Sequence, residues 1–118
     1  MKTLLFLLIT AGMTLPAPAI QPATCSTPPV FSGQVFATIC APAPDATVDE
    51  LFLFSGAVSS PSGIHVGQLY IDGKKYADYF TADIEVTVRL KEGRHRFTLQ
   101  AIDNSGAKAI NTQYITVR

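Results

Sequence analysis

The sequence predicts an all-β protein, an antiparallel β-sandwich of about seven strands. Three observations carry that prediction. No window holds an apolar stripe of period 3.6 long enough for a helix, alternating runs of strand length recur every ~8 to 12 residues, and Gly, Pro, Asp and Asn fill the gaps between them. A small barrel satisfies the same pattern and is the structural alternative.

The first segment is read as a leader. Met1 and Lys2 give a short positive start, TLLFLLITAGM is an apolar run too short to span a bilayer comfortably, and LPAPA ends in small residues at Ala17 and Ala19. Residues 1–19 are therefore expected to be a secretory signal peptide, with no membrane insertion once it is removed. Cleavage leaves 118 less 19, or 99 residues, enough for one small domain with a modest core. Loss of Lys2 leaves eight Lys and Arg against nine Asp and Glu, a net charge of −1. No global basic field exists to attract nucleic acid or an anionic membrane.

Residues 20–33, IQPATCSTPPVFSG, are rich in proline and polar filler and lack periodicity, so they are expected to form an irregular lead-in. The only two cysteines, Cys25 and Cys40, lie beyond the leader. In an exported chain such a pair most simply forms one disulfide around the STPPVFSGQVFAT segment, although intermolecular pairing stays open. Two thiols without a nearby histidine make a poor zinc set. Pro22, Ala23 and Thr24 lack the aliphatic residue that would mark Cys25 for lipid attachment.

The sandwich is expected over residues 34–118. QVFATI alternates as a first strand, and CAPAPDATVDE breaks it with two prolines. LFLFSGAV is a continuous apolar run of strand length. VGQLYIDGKKYADYF is a hairpin about Asp72-Gly73, a dipeptide suited to the positive φ of a two-residue turn. EVTVRL sets Val86 and Val88 against Glu85, Thr87 and Arg89. RHRFTLQAI sets His95, Phe97, Leu99 and Ala101 against Arg94, Arg96, Thr98 and Gln100. AINTQYITV closes the chain, with Tyr114 and two aliphatic residues expected inward.

Three of these stretches carry a family resemblance. PAPDATV, YIDGK and LKEGRHRFTLQAIDNSG resemble, respectively, the proline, turn and valine before the second strand, the aromatic-x-Asp-Gly hairpin, and the Leu-x-x-Gly-x-His run leading to Ala-x-Asp-x-x-Gly of bacterial immunoglobulin-like domains in secreted and surface proteins. The similarity spans Cys40 to Arg118, about two thirds of the sequence. Asp45 departs from it, standing where many members carry glycine. The resemblance implies an immunoglobulin-like sandwich with a role in adhesion, spacing or binding, and it transfers no catalytic residue.

The polar residues fit that reading. His95 sits on the apolar face just after Gly93, where related sandwiches anchor the crossover with a tyrosine, so a structural histidine is favoured over a catalytic base. A Ser-His-Asp hydrolase would need a serine on a strained turn, and no G-x-S-x-G occurs. Asp103, Asn104 and Ser105 before Gly106 suit a tight turn better than calcium, which takes six or more oxygens. Arg89, Lys91, Arg94 and Arg96 would share a face only in a hairpin, whereas a sandwich assigns their strands to opposite sheets.

The remaining candidates are the hairpin aromatics Tyr70, Tyr76 and Tyr79. Exposed rings there would stack on the apolar face of a sugar; alternatively, strands favour tyrosine for its β-propensity alone. The sequence thus predicts a secreted or periplasmic, non-enzymatic immunoglobulin-like domain without cofactor or metal, contacting protein or polysaccharide at the cell surface. A small carbohydrate-binding module using Tyr70, Tyr76 and Tyr79 is the alternative. A third reading is an inhibitor or chaperone-like partner that adds a strand to another protein.

Overall fold

The computed structural model describes Cys25 and residues 34–118. The expected leader, residues 1–19, and the lead-in apart from Cys25 lie outside the described residues. Within them the chain is all-β, with no helix long and apolar enough to cross a membrane. Eight strands follow in order: β1 Phe36–Ala41, β2 Thr47–Val48, β3 Leu51–Ser59, β4 Ile64–Ile71, β5 Lys74–Tyr79, β6 Asp83–Arg89, β7 Gly93–Asp103 and β8 Lys108–Val117.

The strands form two sheets, β1-β3-β6 and β2-β8-β7-β4-β5. Every pairing is antiparallel except β2 with β8. The eighth strand arises where the sequence shows only a break. β1 runs along β3, shifts register between Ile39 and Ala41, and then meets Pro42, which has no N–H with which to continue a ladder. Asp45 turns the chain at φ 61, a left-handed value that glycine would adopt without strain. Thr47 and Val48 then emerge against Thr116 and Val117 of the other sheet. One continuous segment therefore laces both sheets together. Cys40, on β1, is bonded to Cys25 within the chain.

Alternation fills the space between the sheets. Phe52, Phe54 and Val58 from β3 face Leu69 and Ile71 from β4, while Phe97, Leu99 and Ala101 come from β7. Phe54 stacks on Phe97 with centroids 5.7 Å apart, and Phe52 meets the same ring edge-on at 5.8 Å. Phe97 is thus the centre of the core.

Tyr114 departs from the expectation that it points inward. Ile115 and Val117 are buried, so the period of two turns Gln113 inward and Tyr114 outward. The inward polar side chains are satisfied across the open side of the sandwich: Gln113 donates to the Pro42 carbonyl, and Asn111 donates to Ala37 O at 3.3 Å. Ile110, on the outward face, is 63% exposed.

Candidate functional site

The polar stretch from Leu90 to Gly106 is occupied with holding turns. Asp72 and Gly73 take φ of 54 and 84, the double positive values of a type I′ hairpin between β4 and β5. The Asp72 carboxylate accepts from the Arg96 amide at 2.9 Å and from His95 Nδ1 at 2.6 Å. His95 Nε2 donates to Lys91 O at 2.7 Å in the β6–β7 turn. Burial opposes the charge on His95, but the hydrogen bond to Asp72, the Lys91 carbonyl and the Asp72 charge together raise its pKa. Burial likewise opposes the charge on Asp72, and the Arg96 amide and His95 outweigh it, so that pKa is lowered.

Asp103 plays the same part at the other end of β7. Its carboxylate accepts from Ser60 Oγ at 2.6 Å, Ser105 Oγ at 2.7 Å, and the amides of Ser105 and Ala107. The Ser60 and Ser105 hydroxyls are the main reason its carboxyl is held well below the usual carboxylate range. These are the local bonds of a tight turn plus one tie to the β3–β4 connection. Among the described residues no group of three or more His, Cys, Asp and Glu is placed to hold a metal ion.

The basic cluster is divided between sheets. Arg89 belongs to β6, while Arg94 and Arg96 belong to β7 in the five-stranded sheet. Arg94 lies 4.6 Å over the Tyr114 ring and 3.6 Å from Asp45.

The three candidate tyrosines do not form one platform. Tyr70 points outward from β4, between buried Leu69 and Ile71, with its hydroxyl 3.4 Å from Gln68 Oε1. Tyr79 points the other way and packs against the core, with its hydroxyl buried and unpartnered. Burial first and the Tyr76 phenol second raise the Tyr79 pKa. Tyr76 is the extra residue of a register shift, since Leu69 faces Ala77 while Tyr70 faces Lys75, and it is 45% exposed.

What Tyr70 does share is the outer face of the five-stranded sheet. Across it run two polar rungs. Tyr70, Thr98 and Thr112 form one, with the threonine hydroxyls 3.0 Å apart; Gln68, Gln100 and Ile110 form the next, with Gln100 donating to Gln68 at 2.8 Å. Tyr114 and Arg96 are paired on the neighbouring rung towards the hairpin. Tyr114 is the aromatic that sequence reasoning missed, and the signal was present in the alternation of Gln113, Ile115 and Val117.

The strand order and the two facing sheets define an immunoglobulin-like β-sandwich. No protein-family model matches the chain, and no curated protein matches its sequence. Solved structures do match the fold. Fibronectin(III)-like modules of Clostridium thermocellum CbhA superpose with a TM-score of 0.62 at 21% identity, over 74% of this chain and 48% of theirs. The endo-β-1,4-mannanase of Thermotoga petrophila gives 0.62 at 9% identity, over 72% of this chain and 20% of that one. A CARDB domain of Pyrococcus furiosus, solved with two metal ions, gives 0.52 at 15% identity, over 72% of this chain and 93% of the domain. The chain thus spans about half of the first of these structures and a fifth of the second. At such identities the likeness is one of fold.

Proposed function

We propose that this chain is an exported, non-enzymatic immunoglobulin-like module that makes protein or polysaccharide contacts at a cell surface through the outer face of its five-stranded sheet. One observation carries the reading. The groups that resemble chemistry, His95, Asp72 and Asp103, are committed to turns, whereas Tyr70, Tyr114 and the glutamine rung face outward on one surface. Export is supported by the leader-like residues 1–19 and by a disulfide, which persists in oxidising compartments. Fractionation of expressing cells tests it: recovery in the cytosol with free thiols overturns export. Hydrolytic turnover abolished by His95→Ala overturns the non-enzymatic reading.

A carbohydrate-binding function is the second reading, favoured by Tyr70 standing beside hydrogen-bonding amides and hydroxyls. Similarity in fold to modules of CbhA and to part of a mannanase supports it. The sequence-based trio is divided: Tyr70 lies on the outer face, Tyr76 is exposed at the bulge, and Tyr79 is turned to the core. A glycan array with wild type and Tyr70→Ala decides the matter. Absence of glycan binding by wild type removes this reading and leaves protein contacts.

A further inference from the structure

We propose that the outer face of the five-stranded sheet takes an acidic polysaccharide, one whose pyranose rings carry carboxylates, laid along β7 and β8. The inference rests on the carbohydrate reading and adds charge to it. The cations of this face fall into two groups. Lys75 is paired with Asp78 at 3.1 Å, and Arg94 is held by Asp45 and the Tyr114 ring. Arg96 and Lys108 are exposed and form no ion pair within 4 Å among the described residues, the Arg96 charge acting on Asp72 only from farther off.

The surroundings of Arg96 suit a carboxylate attached to a ring. Its guanidinium lies against the hairpin turn, where a Cβ on Gly73 would stand 3.2 Å from Nη2. Thr98 pairs with Tyr70, so Arg96 is the diagonal neighbour of that ring, about 7–8 Å away along the sheet. A sugar stacked on Tyr70 therefore places an exocyclic carboxylate within reach of a planar fork that matches it in two hydrogen bonds. Gln68 and Gln100 stand on the next rung, ready for ring hydroxyls. A polyphosphate or an acidic peptide would use the arginine but leave Tyr70 without a ring partner.

Lys108 sets the direction. It pairs with Ile102, six positions along β7 from Arg96, or about 20 Å at the rise of an extended strand. Two cations without close partners, at the ends of a strip that carries Tyr70, Thr98, Gln100 and the exposed Ile110, match a linear polyanion and not a single sugar. Since the chain has no net basic charge, the attraction comes from this placement and is sensitive to salt.

Titration calorimetry with the full chain tests the proposal, using polygalacturonate and alginate oligomers, fully methyl-esterified polygalacturonate and a neutral β-mannan as probes. The expected result is binding to at least one uronate, lost on esterification or in high salt. Arg96→Gln is expected to weaken it about tenfold or more, through the loss of the charge-assisted pair. Arg96→Lys is expected to restore part of it, and Arg89→Gln on the opposite sheet to leave it unchanged. Lys108→Gln should weaken long oligomers and spare short ones. Thermal unfolding of each variant confirms that it is folded. Equal binding to esterified or neutral polymer overturns the charge assignment and leaves the carbohydrate reading standing. Uronate binding indifferent to Arg96 overturns the site, and no binding to any of the probes overturns both.

Discussion

His95 on β7 and Asp72 in the β4–β5 turn are joined by a hydrogen bond of 2.6 Å from Nδ1 to the carboxylate. The other ring nitrogen reaches the Lys91 carbonyl at 2.7 Å, so one imidazole ties the β4–β5 turn to the crossover between the sheets. Both partners are acceptors. Satisfying both requires the imidazolium, which agrees with the raised pKa of His95 and the lowered pKa of Asp72.

This clamp makes stability depend on pH in a stated direction. Because the folded pKa of His95 lies above its unfolded value of about 6.5, its contribution is complete below that pH and is lost as pH rises through the folded pKa. Asp72 is the reverse: its contribution is present above about pH 3.9 and disappears as pH falls through its lowered folded value. The pair therefore stabilises most between about pH 4 and 6.5. Arg94 and Arg96 flank His95 on β7, Glu92 lies in the turn beside it, and Ile115 opposite on β8 brings no charge. Thermal melts should show Tm falling from mildly acidic to mildly alkaline buffer, and His95→Gln should flatten that slope. Identical slopes in the two proteins would falsify the clamp.

Asp103 is expected to matter more than any other acid on the sandwich. Its carboxylate accepts four hydrogen bonds, from Ser60, Ser105 twice, and Ala107. Asp103→Ala leaves all these donors without their acceptor and removes the Ser60 tie to the β3–β4 connection, where the bonds of Asn104 to Gly63 O and Ser62 O remain. Chemical denaturation should show a loss well above that of Asp78→Ala, whose carboxylate makes a single exposed pair. Comparable losses would mean that the turn keeps its shape through backbone bonds alone.

Tyr79 offers the opposite case. Its ring packs on the core but its hydroxyl is buried without a partner. Removing such a hydroxyl while keeping the ring takes away a desolvated polar group and no hydrogen bond. Tyr79→Phe is expected to be within about 0.5 kcal/mol of wild type or more stable. A loss above that in urea unfolding would show that the hydroxyl is bonded in solution.

The legibility of this molecule in its sequence follows the strength of each periodic signal. β4 to β7 are visible because Asp72-Gly73 marks a turn and the flanking runs alternate. The division of Arg89 from Arg94 and Arg96 follows from the sandwich itself. β2 is not legible: two residues paired in parallel to β8 carry no periodicity, and the change of sheet depends on contacts of Pro42 and Asp45 with distant Tyr114 and Gln113. An inward Tyr114 is out of parity with the buried Ile115 and Val117. An inward glutamine looks improbable until the Pro42 carbonyl arrives to accept its amide from 71 residues away. The outward aromatic face is obscured for a related reason, since a hairpin read alone groups its tyrosines, whereas a bulge at Tyr76 and the sheet's two faces separate them.

Two glycines should respond differently to the same methyl group. A Cβ on Gly56 of β3 would stand 2.9 Å from Leu99 Cδ2 and 3.0 Å from the Thr38 carbonyl, one a fully buried side chain and the other backbone of the adjacent strand. Neither can yield without moving β1 or repacking the core around Leu99. On Gly67 of β4 the nearest atom would be Ile84 Cδ1 at 3.1 Å, with the Val58 methyls at 3.7 Å. A terminal methyl retreats by a few tenths of an ångström more easily than a sheet does. Gly56→Ala is therefore expected to cost about 1–3 kcal/mol, the range for overpacking a closed core. Gly67→Ala should cost less, because its clash is relieved by one side chain and alanine is less flexible than glycine in the unfolded chain. Urea unfolding of the two variants checks the order, and a larger loss at Gly67 would place the tighter contact between the sheets at β4 and not at β3.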